Sequence, residues 1–208
     1  MNKKLLDIII LKKKGKYIVD WNEVWKNENF KKLLTTEQNP YWHKENFVSI
    51  HTKYVVEQMY KYANDDSYLS YILIVSALFH DIGKGECTFF NNEKGTWSSP
   101  QHAKVGAEIT RNMLSEENED FIDVICWFVE NHMKPLEIYD SKQQIKDLIK
   151  LSNSSPNIKY CNIENLFKLK NCDCLGSKMI KYDGWVEKLN YLKNLAKKYK
   201  CFYRPQEL

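Results

Sequence analysis

The sequence FHDIGKG at residues 79–85 places an imidazole and a carboxylate side by side at the end of a long apolar run. A buried helix that ends in a glycine-containing turn can direct His80 and Asp81 into one pocket, although both groups are costly to bury without partners. A metal ion suits this pair, because it binds imidazole nitrogen and carboxylate oxygen together.

Other predicted helices or helix ends carry groups of the same two kinds. Hydrophobic periodicity puts His51 on the buried face of an amphipathic helix and Asp173 on a face of a later helix. His102 lies near a helix start, and His132 lies at a helix end shortly before a proline. With the central pair, these groups make four imidazoles and two carboxylates. The full set is His51, His80, Asp81, His102, His132 and Asp173.

This mixed nitrogen and oxygen set accepts divalent Mn, Fe, Ni, Co or Mg, and six groups are more than one ion needs. A shared carboxylate can bridge two ions. Two ions about 3.5–4 Å apart would polarise a phosphoryl oxygen and supply a metal-bound hydroxide as the nucleophile at neutral pH. The set therefore predicts two divalent ions and the hydrolysis of a phosphoester.

Each group also has an ordinary structural interpretation. Taken alone, His51 would be a hydrogen-bonded core histidine, and His102 and His132 would be caps or surface groups. Asp173 would pair with a nearby lysine, and the central pair would cap a helix before a turn. Together these interpretations require nearly every histidine of the chain to fall on an inward face or a helix end by chance. We therefore favour the metal site.

The hydrophobic pattern predicts a bundle of helices. Residues 68–80 are apolar nearly all round, which indicates a central helix; their β-branched side chains would also allow a strand, but their length favours a helix. Residues 1–20 fit either a short helix or an edge hairpin, and residues 85–99 form a long loop. Further helices are predicted over residues 21–34, 45–63, 100–113, 117–131, 143–151, 163–179 and 185–199.

The 208 residues are enough for one sizeable core, whereas two domains would each be small. The elements predict an all-α, single-domain bundle of seven or more helices. Within it, we expect residues 1–35 to form an N-terminal helical extension packed on the core. Residues 36–208 would form one globular unit.

Composition limits the classes of protein that fit. The net charge is +4 with scattered lysines, which is typical of solvated helix faces and merely permits a polyanionic ligand. No apolar run approaches the ~20 residues that a membrane-spanning helix needs, so we expect the protein to stay in the cytoplasm. The six cysteines contain no CxxC pair, which favours reduced, mostly buried thiols.

The order His, His-Asp, His, His, Asp, with HDIGK intact, resembles the HD superfamily of metal-dependent phosphohydrolases over about residues 36–180. More narrowly, TEQNPYWHKENFVSIHT, ALFHDIGKG and QHAKVGAEIT are similar to the HD domains of CCA-adding tRNA nucleotidyltransferases and of RNA-end-healing phosphoesterases. Residues 36–208 would then be an HD phosphohydrolase domain.

The resemblance implies a role for each matching residue. A first metal ion would be bound by His51, His80, Asp81 and Asp173. Asp81 would bridge to a second ion, which His102 and His132 would hold.

The resemblance also implies residues that act on the substrate. Lys84 would contact a substrate phosphate, and we assign it to the catalytic group with Asp81 and His102. Lys84 would otherwise be a solvated turn lysine. Further substrate contacts would come from His43, Ser177 and Lys178.

The predicted function is hydrolysis of nucleotide or RNA-terminal phosphoesters, including 2′,3′-cyclic phosphates and 2′- or 3′-phosphates. The partner would be the nucleotide or RNA-terminal phosphate, with no obligate protein partner and no membrane. A dNTP or cyclic-oligonucleotide phosphohydrolase would use the same ligands. A non-catalytic nucleotide-binding regulatory module would retain the fold with a vestigial site, but the complete ligand set favours an enzyme.

Overall fold

The structure is a computed structural model that describes residues 3–137, 142–153, 155 and 157–177, and the single positions 187, 190, 191 and 194. This part of the chain is mostly α-helical. The stricter prediction of an all-α bundle fails at two short antiparallel hairpins. Most of the helix predicted over residues 185–199, and the whole of Lys178, lie outside the described residues.

The elements follow one another in a simple order. Before the central helix come α1 (Leu5–Ile9), β1 (Ile10–Lys13), β2 (Lys16–Val19), α2 (Trp21–Val24), α3 (Glu28–Lys32) and α4 (Val48–Met59). The middle of the chain forms α5 (Tyr68–Phe79), α6 (Lys84–Cys87), β3 (Phe89–Asn91), β4 (Thr96–Ser98), α7 (His102–Met113) and α8 (Glu119–Asn131). The last described elements are α9 (Lys134–Glu137), α10 (Lys142–Asn153) and α11 (Ile163–Gly176).

Helix α5 lies at the centre of the core, as its apolar sequence predicts. Every residue from Ile72 to Phe79 is buried, so this part of the helix has no face toward solvent. The Ser67 hydroxyl caps its start by accepting a hydrogen bond from the backbone N–H of Ser70. Helices α4, α8 and α11 pack against it, and α7 packs on α8. The predicted helix over residues 68–80 is therefore confirmed, and its C-cap is His80.

Several predicted helices are shorter than their apolar pattern. Helix α4 begins at Val48 rather than near Glu45, because Asn46 has a φ of 66°, a left-handed backbone that no helix contains. Helix α8 begins after Asn118, whose side chain accepts a hydrogen bond from the backbone N–H of Asp120. Side-chain caps and local backbone thus set these ends, whereas hydrophobic periodicity does not reveal them.

The sequence of residues 1–20 fitted either a short helix or a hairpin, and the structure contains both, since α1 runs directly into the β1–β2 hairpin. The single helix predicted over residues 21–34 is wrong. It divides into α2 and α3 because Asp20 caps the first, and the Asn27 side chain accepts from the backbone N–H of Asn29 to begin the second. The buried apolar residues of this region, all within the same core cluster as α5, are Leu6, Ile9, Ile10, Val19, Val24, Phe30 and Leu33.

The loop predicted over residues 85–99 is also more regular than expected. It contains most of α6 and the antiparallel β3–β4 hairpin, in which Phe90 lies opposite Trp97. The turn uses Gly95 at a φ of 61°, which glycine adopts at little cost. The hairpin returns the chain to Ser99, three residues before the start of α7.

The turn after α5 and the start of α7 touch through two glycines. A Cβ at Gly83 would lie 2.1 Å from the backbone oxygen of His102 and 2.6 Å from the backbone nitrogen of Gly106. A Cβ at Gly106 would in turn lie 3.2 Å from the backbone nitrogen of Gly83. The two glycines allow this close approach, which brings His102 beside the turn that follows His80.

No helix among the described residues is long and apolar enough to cross a membrane.

Replacing Gly83 with alanine should lower the free energy of unfolding by about 1–3 kcal/mol, because backbone atoms of α7 would have to move. Gly85→Ala is the milder control: its new Cβ would meet Lys32 Cβ at 3.2 Å and Leu33 Cδ2 at 3.3 Å, contacts that a shift of a few tenths of an ångström relieves. Urea denaturation of the two variants measures the difference. Equal stabilities would contradict the tight contact between the turn and α7.

Candidate metal centre

The six predicted ligand groups meet at one end of the bundle. They come from α4, the C-terminal caps of α5 and α8, the turn after α5, the first residue of α7, and α11. In that order they are His51, His80, His132, Asp81, His102 and Asp173. All except His102 are buried. The structure therefore brings all six predicted ligand groups together in one cluster.

One oxygen of Asp81 belongs to a first set of donor atoms. His51 Nε2 lies 2.9 Å from Asp173 Oδ1 and 3.4 Å from His80 Nε2. Asp81 Oδ2 lies 3.3 Å from His80 Nε2 and 3.6 Å from His51 Nε2. His80 Nε2 lies 3.9 Å from Asp173 Oδ1. Donor atoms about 2.1 Å from one ion lie roughly 3.0–3.4 Å apart, so this set is close to the spacing that a single ion requires.

The other oxygen of Asp81 belongs to a second set. Asp81 Oδ1 lies 3.4 Å from His102 Nε2 and 3.6 Å from His132 Nε2. The two imidazole nitrogens are 3.3 Å apart. Asp81 is therefore shared, since each of its oxygens faces a different pair of histidines.

Backbone carbonyls fix the ring orientation of three of the histidines. The Nδ1 atoms of His80, His102 and His132 lie 2.7–2.9 Å from the carbonyl oxygens of residues 77, 99 and 129, respectively. A carbonyl only accepts, so each Nδ1 donates its proton, and in the neutral ring Nε2 then carries a lone pair. The lone pairs of His102 and His132 are directed into the same small space, where a shared cation would remove their repulsion. The donor set thus fits a metal ion.

The two buried carboxyl groups are held in their charged form. Burial alone would raise the pKa of Asp81, but the Lys84 ammonium opposes this effect most strongly, and that pKa is held well below its usual value. Burial opposes ionisation of Asp173 in the same way, and the Lys170 ammonium and His51 lower its pKa well below the usual value. Both carboxylates are therefore available as negatively charged ligands.

The histidines divide into two electrostatic classes. Burial lowers the pKa of His102 to about 3, with Asp81 offsetting only part of the effect. Burial also lowers the pKa of His132, so both rings of the second set are neutral. Burial acts against a charge on His51 too, but contacts with Asp173 and Glu45 raise its pKa to about 9. The carboxylates that favour a proton on His51 favour a divalent cation more strongly, and such a cation would displace that proton.

Glu45 is a buried acid that the sequence analysis did not select. Its Oε1 lies 2.8 Å from His43 Nδ1 and 2.9 Å from His51 Nδ1. Burial would raise the pKa of Glu45, but the two rings outweigh it and lower that pKa. Glu45 thus accepts a hydrogen bond from His43 and lies at ion-pair distance from His51. Its only sequence signal is an acid between two histidines, in a segment without periodicity.

Lys84 is buried beside the shared carboxylate rather than extended into solvent. Its Nζ lies 2.7 Å from Asp81 Oδ2 and donates to the Gln38 side-chain oxygen at 2.8 Å. Gln38, which sequence reasoning missed, is itself buried. Its amide orients the ammonium without adding charge. The interpretation of Lys84 as a solvated turn residue is wrong.

Lys170 is a second buried cation. Its ammonium lies 2.5 Å from Asp173 Oδ2, one helical turn away on α11. The pairing of Asp173 with a lysine, considered above as an alternative to a metal site, therefore coexists with its position beside His51 and His80. A lysine three residues before a predicted ligand on the same helix is the sequence signal that could have identified it.

A pocket of about 380 Å³ opens onto this cluster. Its lining includes all three predicted substrate contacts that the structure describes, Lys84, His43 and Ser177. Burial, with a contribution from the Lys84 charge, lowers the pKa of His43 to about 4, so this ring is neutral. The Ser177 hydroxyl donates to the carbonyl oxygen of Cys174 at 2.8 Å. The pocket also contains residues that sequence reasoning missed, among them Trp42, Trp97 and Met133.

A family model described as the HD domain matches residues 48–163, which is more than half of the chain. The chain therefore belongs to the HD domain family, whose members are in general metal-dependent hydrolases. Neither the curated proteins nor the solved structures that were searched contain a match to it. The matched region ends before Asp173, so the position of that carboxylate at the site comes from the structure.

Replacing Lys170 with methionine should lower the free energy of unfolding by about 3–5 kcal/mol, because it leaves the buried Asp173 carboxylate without its cation. Saturating divalent ion should reduce this loss, since a cation bound at Asp173 would compensate the charge. Chemical denaturation with and without the ion measures both effects.

Lys168→Met is the control on the same helix. Lys168 pairs with Glu164 at 3.4 Å, and both side chains are partly exposed. Its loss should cost less than about 1 kcal/mol. If the two variants were equally stable, Lys170 would not be required to balance the charge of Asp173.

Proposed function

We propose that this protein is a metal-dependent phosphohydrolase that cleaves nucleotide or RNA-terminal phosphoesters, among them 2′,3′-cyclic phosphates and 2′- or 3′-phosphates. The observation that carries the proposal is the shared Asp81 carboxylate, each oxygen of which faces a separate pair of imidazole Nε2 atoms. A single structural metal would not need a second set of ligands or an open pocket beside it.

We assign two divalent ions to the two sets. The ligands of the first ion would be His51, His80, Asp81 and Asp173. Asp81 would also bind the second ion, together with His102 and His132. When bound, such ions polarise a phosphoryl oxygen and lower the pKa of a water molecule enough for attack at neutral pH. Mn, Fe, Ni, Co and Mg all accept mixed imidazole and carboxylate ligands.

Lys84 would act on the substrate phosphate. It lines the pocket, and Gln38 orients its ammonium beside Asp81. Once cations neutralise Asp81, the ammonium can bind a phosphoryl oxygen and stabilise the charge that develops there. We assign Asp81 and His102 to the catalytic residues together with Lys84. Both contribute donor atoms to the second set, and both line the pocket.

His43 and Ser177 would position the substrate at the pocket wall. Glu45 accepts a hydrogen bond from His43 Nδ1 in the neutral ring, which leaves Nε2 to accept a hydrogen bond from a substrate hydroxyl. Ser177 lines the pocket at the end of α11, and Lys178 would supply a further cation for the phosphate. A nucleotide or an RNA terminus in the cytoplasm is the partner that this arrangement suits.

Metal content tests the two-ion assignment. Asp81→Asn should lose most of both ions, whereas His132→Gln should lose about half of the bound metal, because only one set contains His132. His43→Gln is the matched control and should retain the wild-type content, since His43 belongs to neither set. Elemental analysis of the purified proteins gives the numbers. Fewer than one ion per wild-type chain at saturation would contradict the assignment.

Hydrolysis tests the reaction. The metal-loaded protein should cleave nucleotide and RNA-end phosphoesters, and Asp81→Asn should lower kcat at least about 100-fold, because it removes charge stabilisation of the transition state. Assays on cyclic phosphates, 2′- and 3′-phosphates, dNTPs and cyclic oligonucleotides with each ion identify the substrate. A folded, fully loaded protein that cleaves none of them would be evidence for a regulatory binding module instead.

A further inference from the structure

We propose that Trp97 of the β3–β4 hairpin stacks on the nucleobase of the substrate, so that the site selects nucleosides over phosphoesters without a base. The inference deepens the proposed hydrolase function and rests on it, since it assigns the organic part of the same substrate.

The pocket is larger than a phosphate group requires. Its volume is about 380 Å³, whereas one water molecule has a share of about 30 Å³ in the liquid, so a phosphate beside Asp81 and Lys84 would occupy a minor part. The whole pocket lies within the range of about 300–1,000 Å³ that small-molecule sites occupy. The ester of this phosphate therefore carries a substantial second group into the same pocket.

Two indole rings line the same pocket as the predicted metal ligands. Trp97 comes from β4, and Trp42, which is 42% exposed, comes from the segment before α4. Aromatic side chains at the surface are stacking platforms for nucleobases, because every base offers a π face whatever its hydrogen-bonding edge. The pocket therefore combines a charged inner end for a phosphate with aromatic walls for a planar ring.

The hairpin fixes Trp97 in this position. Phe90 lies directly opposite Trp97 in the strand register, and their rings meet edge to face with centroids 5.4 Å apart at 79°. The Thr88 and Ser99 hydroxyls, 2.7 Å apart, join the two ends of the hairpin. This support holds the indole at low conformational cost before any ligand arrives.

The same strand connects the aromatic wall to the metal ligands. Ser99, two residues after Trp97, offers the carbonyl oxygen that accepts from His102 Nδ1 at 2.9 Å. Only two peptide bonds thus separate Trp97 from Ser99, the residue that orients a ligand of the second donor set. Their separation is fixed by the fold, as recognition of a base and its attached phosphate requires.

The test compares a ligand that has a base with one that lacks it. The probe is the phosphonate analogue of adenosine 3′-phosphate, in which a methylene group replaces the ester oxygen and prevents hydrolysis. Its partner is the same ribose phosphonate without adenine. Calorimetry gives the Kd of each with the metal-loaded wild type, Trp97→Leu, Trp97→Phe and Phe89→Leu. Phe89 is an exposed aromatic residue of the same hairpin that does not line the pocket, which makes it the matched control.

We expect the wild type to bind the adenosine phosphonate about tenfold or more tightly than the ribose phosphonate. Trp97→Leu should abolish most of this ratio, Trp97→Phe should retain most of it, and Phe89→Leu should leave it unchanged. A merely structural role for Trp97 would lower the affinity for both ligands equally and would overturn the inference. So would a wild-type ratio near one.

Two further outcomes separate this inference from the proposed function. Hydrolysis of glycerol 2-phosphate as efficiently as of adenosine 3′-phosphate would leave the hydrolase in place and overturn the nucleobase contact. Base-dependent binding that Trp97→Leu removes, without any hydrolysis, would support the contact and contradict the hydrolase. A phenyl phosphonate that binds as tightly as the adenosine analogue would assign the pocket to aromatic esters in general and overturn the nucleoside assignment.

Discussion

The structure depends on one buried carboxylate. Asp81 is only 2% exposed, and a charged oxygen in such a place is stable only if cations or hydrogen-bond donors surround it. The Lys84 ammonium supplies one positive charge at 2.7 Å. The four histidine rings turn nitrogen atoms toward the carboxylate, but those whose Nδ1 atoms donate to carbonyls present lone pairs, which a carboxylate repels. The site therefore has more lone pairs and carboxylate oxygens than donors, and this imbalance, which cations would remove, is the physical reason for assigning metals to it.

The helices hold the buried acceptor groups of the site in place. Helix α5 has to end inside the protein for His80 and Asp81 to be buried, and its apolar sequence makes that position favourable. The turn that follows is held against α7 by Gly83 and Gly106, where a Cβ would collide with the backbone. The C-terminal turns of α5 and α8 leave carbonyl oxygens without helical partners, and the rings of His80 and His132 use them. The way these two helices end therefore also sets the orientation of the predicted metal ligands.

The sequence predicted the parts of the molecule that depend on residue type and helical periodicity. The central helix was placed correctly, and the six predicted ligands do meet in one cluster, because inward faces and helix ends in one core converge. The β3–β4 hairpin and the break between α2 and α3 were not predicted, since they depend on single caps and turn residues such as Asn27 and Gly95. Glu45 and Gln38 were also missed, because their burial arises from an irregular segment folding over the site.

The sequence analysis described the β3–β4 hairpin as part of a loop. Short irregular segments of this kind are difficult to interpret from sequence, yet this one lines the pocket. Its strands have three residues each, so intrinsic pairing alone would barely hold them, and the Phe90–Trp97 pair supplies the missing contact. The same pairing places an indole at the pocket and ends at the carbonyl that orients His102. A change that loosened the hairpin would therefore disturb both a pocket wall and a metal ligand. This linkage explains why a site built on rigid helices still depends on a short and marginal sheet.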